Sequence, residues 1–152
     1  MTKREKIDFN EGLIKLRTYC NYRDRCHKEV RQKLWEYNLS KADRERIISA
    51  LIEEGLLNEE RYARSFARGH FYMKQWGKAK IVAALRSNGL NDRLIDVALG
   101  EIDEGDYQLE LQKLVEKKLA KIKGNVWEKR KKITSYLQQK GYSYNEYRHL
   151  LP

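Results

Sequence analysis

Apolar positions recur along this chain at helical spacing, and the pattern itself repeats. Val30, Ile81 and Ile133 align at intervals of 51 and 52 residues, as do Leu34, Leu85 and Leu137, and then Asn38, Gly89 and Gly141. A period of this length marks an architecture of stacked units. Each of the last three positions is followed by an apolar or aromatic residue and a helix-starting one: Leu39-Ser40, Leu90-Asn91 and Tyr142-Ser143. The block reads as a helix burying one stripe, a stop at a residue tolerant of left-handed backbone, and a new helix started by a side-chain oxygen. Ser143 and Glu146 have the S-x-x-E spacing of a capping box, in which each side chain satisfies an orphan amide of the other residue's backbone.

A further helical pattern precedes each block, roughly Glu11 to Tyr22, Glu59 to Lys74 and Asp106 to Lys123, so each unit holds three helices. The predicted units run over 10–57, 58–105 and 106–152, behind a charged N-terminal tail of residues 1–9. A three-helix unit of about 50 residues buries little by itself, so neighbours must stack. The expected fold is all-α: three tandem three-helix repeats in an elongated, curved solenoid. A compact all-α bundle made by internal duplication is the alternative.

Composition strengthens this reading. The single proline is Pro152, and the breakers are otherwise confined to nine glycines among 152 residues. The charged fraction is 36%, against about 25% in an ordinary soluble domain, as expected for a shape with much surface per unit of core. No uncharged apolar run approaches the roughly 18 residues that would cross a bilayer, and MTKREKIDFN lacks the apolar stretch of a secretion signal. A cytoplasmic protein without membrane contact is expected. Cys20, Cys26 and His27 offer three ligands where a structural zinc site wants four, so the cysteines read as ordinary thiols and no metal is expected.

Lys and Arg number 32 against 22 Asp and Glu, a formal charge of +10, and the excess is focused. Residues 1–57 carry 13 basic and 10 acidic residues, 58–105 carry 8 and 7, and 106–152 carry 11 and 5. Lys113, Lys117, Lys118, Lys121, Lys123, Lys129, Arg130, Lys131 and Lys132 are opposed in that stretch by Glu116 and Glu128 alone. Tyr107, Leu111, Leu114, Val115, Leu119 and Ile122 form an apolar stripe at 100° per residue, with Lys113, Lys117 and Lys121 along its edge and back. Lys118 falls in the apolar sector, either as a snorkelling stem or as a cation at the rim of a binding groove. The run from Lys129 to Lys132 occupies the first turns of a helix predicted from about Val126. Cations there oppose the helix dipole by about 0.3–1 kcal/mol each, so they are a solvated face or an anion-binding one.

In the first unit, Cys26, Val30, Leu34 and Tyr37 share one side of a helix and leave Lys28, Arg31 and Trp35 together on the other. Trp35 then either packs on the next unit or lies in a contact surface. Trp76 and Trp127, each just ahead of a middle helix, read as core anchors. Nothing assembles into an enzyme's constellation. GHFYMKQWGK at Gly69–Lys78 lacks the glycine spacing and the Ser or Thr of a phosphate loop, and His27, His70 and His149 stand at unmatched positions. No catalytic residues and no cofactor are expected.

The stretch Leu51-Ile52-Glu53-Glu54-Gly55-Leu56-Leu57-Asn58-Glu59-Glu60-Arg61-Tyr62-Ala63 resembles the signature of RecX regulatory proteins, where a helix ends at Gly-Leu and an acidic turn launches the next with Arg-Tyr-Ala. The resemblance continues through Gly77, Ile81, Leu85, Gly89-Leu90, Lys117-Lys118, Tyr136-Leu137 and Gly141-Tyr142-Ser143, covering about residues 13–151. The chain departs from the family at Cys26, where a serine often pairs with the glutamate three residues on, and at Asn38, where glycine is usual. The resemblance implies a non-enzymatic modulator, and a monomer is expected. Such proteins lie in the groove of the RecA filament on single-stranded DNA and restrain its growth, ATP hydrolysis, strand exchange and co-protease action, which would place this one in DNA recombination, DNA repair and the SOS response. The nine cations from Lys113 to Lys132, with Lys28, Arg31 and Trp35, are the candidate contacts with recombinase or DNA. A stand-alone basic nucleic-acid-binding protein is the alternative.

Overall fold

A computed structural model describes residues 3–152. Nine α-helices and one 3-10 turn make up the regular structure of these residues: α1 Phe9–Tyr22, α2 His27–Leu34, α3 Lys41–Glu53, α4 Glu59–Tyr72, α5 Lys78–Ser87, α6 Asp92–Leu99, α7 Glu104–Leu119, α8 Val126–Lys140 and α9 Tyr144–Tyr147, then Arg148–Leu150. The main helix-to-helix packing lies within the successive triplets α1–α3, α4–α6 and α7–α9. The accessible surface is 9601 Å², where a compact globule of 18.2 kDa exposes about 8,100 Å². The all-α, elongated repeat reading therefore holds. None of the described helices is long and apolar enough to cross a membrane.

Helix starts follow the side-chain oxygens. Ser40 accepts from the Asp43 amide at 3.1 Å, and Asn91 accepts from Leu94 at 2.9 Å. The Ser143–Glu146 box closes, with the Ser143 amide donating to Glu146 at 2.8 Å. Cys26 and Glu29 form a box too, the thiol taking the serine's place while the Cys26 amide donates to Glu29 at 3.2 Å. The repeated aliphatic positions Val30, Ile81, Ile133, Leu34, Leu85 and Leu137 are all fully buried.

Two sequence expectations need correction here. Gly141 ends α8 in left-handed backbone at φ +99°, as the repeat predicts, but Asn38 is not left-handed. After α2 the chain extends instead and pairs with the N-terminal segment: Glu5 bridges Tyr37, and the Asn38 amide donates to the Glu5 carbonyl at 2.6 Å. That segment is docked on the first repeat, with Ile7 in its core. The first helix of the third repeat also stops at Leu119 rather than Lys123. The chain then turns through Gly124 at φ +127°, which takes Lys121 and Lys123 off the helix and into the turn.

The two junctions between repeats differ in chemistry. The second and third repeats share one apolar core in which Phe71, Tyr107 and Tyr142 pack ring to ring. The first repeat has its own core, and among its described buried residues only Cys26 reaches into its neighbour's. Polar contacts fasten that junction: Arg61 and Ser65 donate to Asp24 at 2.7 and 3.0 Å, and the His27 amide donates to Glu59 at 3.1 Å.

Candidate nucleic-acid interface

The hairpin of α7 and α8 carries the densest unneutralised charge. Lys118 and Lys121 come from the end of α7 and its exit, Lys123 from the turn, and Lys132 from α8. They line one open groove of about 570 Å³ together with Ile122, Ser135, Tyr136 and Gln139. Helical geometry explains the convergence. Ile133 and Leu137 point α8 into the core, so Lys132, Ser135, Tyr136 and Gln139 fall on the flank that faces α7. Lys118 is half-buried, and its ammonium sits 4.6 Å from the Tyr136 ring, which puts it at the groove rim on an aromatic support.

Electrostatics separate this repeat from the other two. In the first two repeats many arginines are paired: Arg17 with Glu54, Arg61 with Asp24 at 2.7 Å, and Arg64 and Arg68 with Glu101 at 2.9 and 3.2 Å. The Arg64 hydrogen bond holds the Glu101 carboxyl below the usual range, and Arg17 does the same for Glu54. Among the described residues, none of the nine cations from Lys113 to Lys132 meets an Asp or Glu side chain in an ion pair. Like charges gathered without partners repel one another, a cost that an anionic ligand would offset.

The structure does not bring all the candidates together. Lys113 faces the second repeat beside Tyr72 and Asp106. Lys117 is exposed on α7, Lys129 is half-buried, Lys131 is exposed, and the Arg130 side chain donates to the main-chain oxygen of Pro152. Lys28, Arg31 and Trp35 do share a hollow, which lies between the first two repeats with Gln32, Glu59, Asn88 and Gly89. Arg31 is paired there with Glu45 at 2.7 Å, and Lys28 donates to the Ser87 carbonyl at 2.8 Å. Trp35 does not pack on the next unit; it is 58% exposed.

Trp127 is also no core anchor, at 77% exposed in the first turn of α8, because the buried stripe of that helix begins only at Ile133. Trp76 does pack, against Phe66 and His70. Two cations next to Trp35, Arg4 and Arg44, were invisible to helical spacing because they come from the N-terminal segment and from α3. The two cysteines are buried.

An elongated stack of three-helix repeats bearing an open cationic groove defines the class of helical-repeat proteins. Comparison with known proteins narrows this class. The family models for the second and third three-helix domains of RecX match residues 58–99 and 106–150. The regulatory protein RecX of Vibrio campbellii is 31% identical over 124 residues, covering 82% of this chain and 79% of the relative. The chain belongs to the RecX family. RecX of Lactococcus lactis subsp. cremoris is 28% identical over 141 residues, and the chain spans about half of that relative's length (52%). The crystal structure of RecX from Lactobacillus salivarius superimposes with a TM-score of 0.81 at 27% identity, covering 91% of this chain and 90% of that one. These relatives are named as regulatory proteins rather than enzymes.

Proposed function

We propose that this protein regulates a RecA-type recombinase by lying along its DNA filament, with the third-repeat groove set against phosphates. The observation that carries the reading is the uncompensated charge of the Lys118, Lys121, Lys123 and Lys132 groove on a body longer than a globule. A rod of repeats can touch several protomers of a polymer at once, so weak contacts add as avidity. The family membership supports a regulatory role, and inhibition is the direction we assign. The protein acts without cofactor or catalytic residues, as a monomer in the cytoplasm. Repeats 10–57, 58–105 and 106–152 act as successive contact modules.

The test is the single-stranded-DNA-dependent ATPase of a RecA recombinase titrated with the full chain. Activity is expected to fall at well below one molecule per protomer, and the variant Lys121→Gln/Lys132→Gln is expected to need several-fold more protein. An unchanged ATPase up to equimolar protein overturns the reading. Unaided, tight DNA binding alongside that null result would favour a stand-alone nucleic-acid-binding protein, a role the same unpaired lysines could serve.

A further inference from the structure

We infer that Arg4, Trp35 and Arg44 form a second nucleic-acid contact, in the first repeat, that grips the phosphodiester backbone of a single strand. The inference extends the polyanion-binding reading to residues outside the lysine groove. The guanidinium carbons of Arg4 and Arg44 lie 4.4 and 4.9 Å from the centre of the Trp35 ring. Both arginines are anchored through backbone oxygens rather than carboxylates. Arg4 donates from Nε and Nη2 to the Tyr37 carbonyl at 3.2 and 2.7 Å, and Arg44 donates from Nη1 to the Leu39 carbonyl at 2.6 Å.

Carbonyl anchoring fixes each guanidinium plane and leaves the full charge, with most of the five donors of each group free. Among the described residues neither arginine meets a carboxylate in an ion pair. The nearby Glu45 is engaged by Arg31. Trp35 is the common wall of two hollows, one with Lys28 and Gln32, the other with Lys41 and Arg44. The fold makes this site by pairing Glu5 with Tyr37, which carries Arg4 over a ring on a different element.

Forked guanidiniums match the paired oxygens of a phosphate, and an open aromatic edge between them can meet a base or sugar. An acidic peptide would answer the charge but leave the exposed indole without a role. The second unpaired cation set on the same chain also points to a polyanion.

The experiment follows fluorescence anisotropy of a labelled oligo-dT of about thirty nucleotides against the full chain at several salt concentrations. Arg4→Gln/Arg44→Gln should weaken binding at least several-fold and flatten the log K against log salt slope by about 0.7 for each phosphate no longer neutralised. Arg4→Lys/Arg44→Lys should keep the slope while losing affinity, because charge survives and the fork does not. Trp35→Ala should weaken binding by about five-fold or more. Circular dichroism melts identify variants that remain folded.

Unchanged affinity and slope in folded Arg4→Gln/Arg44→Gln overturns the inference, as does a wild-type chain that binds no oligonucleotide. It is overturned in favour of an acidic protein partner if that variant loses only poly-L-glutamate binding. Recombinase ATPase assays run in parallel keep the two readings apart. Arginine-dependent oligonucleotide binding without any effect on the filament supports this site and overturns the regulatory proposal alone.

Discussion

Gly77 and Gly141 meet backbone to backbone where the second repeat joins the third. The Gly77 amide donates to the Lys140 carbonyl at 2.7 Å, and the Ala79 amide donates to the Gly141 carbonyl at 3.0 Å. A Cβ on Gly77 would overlap the Gly141 carbonyl and the next amide, and one on Gly141 would meet the Lys80 backbone and Cβ. Backbone cannot rotate aside as a side chain can, so this junction requires glycine on both sides.

Gly77→Ala should therefore destabilise by about 1–3 kcal/mol, the usual cost of overpacking, and lower Tm by roughly 2–4 °C for each of those kcal/mol. Gly69 supplies the control: it lies inside α4, and a Cβ added there would have no neighbour within 4 Å. Gly69→Ala should raise stability by about 0.5–1 kcal/mol. Thermal melts followed by far-ultraviolet circular dichroism check both, and a Gly77→Ala melt matching wild type would refute the close junction.

The two later tryptophans should part company. Trp127→Ala, at a 77% exposed position, should change stability by no more than about 0.5 kcal/mol. Trp76 is half-buried, with its ring 4.4 Å from His70 and 6.2 Å from Phe66. Trp76→Ala should cost about 1–2 kcal/mol, below the roughly 3–5 of a fully buried aromatic. Urea denaturation of the two variants measures the contrast.

His70 predicts an acid-side loss of stability. Burial first, and then the nearby Lys74 and Lys80, lower its pKa below the usual 6.5, against the opposing pull of the Phe66 carbonyl, which lies 2.8 Å from Nδ1. The folded state thus holds this imidazole neutral in a range where the unfolded chain binds a proton. Stability is full above about pH 6.5 and declines as pH falls through the folded value. Urea midpoints at pH 7.5 and 5.5 should differ more in the wild type than in His70→Gln. Equal differences would remove His70 as the cause.

Neutralising the groove should uncouple binding from stability. Lys121→Gln/Lys123→Gln/Lys132→Gln removes cations that pair with no carboxylate among the described residues, so Tm should stay level or rise. Binding to DNA or to a recombinase filament should weaken, with the salt slope reduced by up to about 0.7 for each phosphate released from a lysine. A fall in Tm with unaltered binding would make these lysines structural.

The amino-acid order alone revealed the repeat, its buried aliphatic ladder and its helix starts. Those features are written in neighbours a few residues apart: Ile81 with Leu85, Ser40 before α3, Ser143 with Glu146. It also located the charge excess in the last third of the chain. Packing decided the rest. Helical spacing says which residues share a face but not what covers that face, so Trp35 and Trp127 could be exposed only once their neighbours were in place. It could not tell that Asn38 would give its amide to Glu5 rather than turn left-handed, because that bond joins segments 33 residues apart. Arg4 reaches Trp35, and Lys118 comes to share a groove with Lys132, through the same kind of contact. Such meetings depend on how separate elements dock, and tertiary structure alone fixes that.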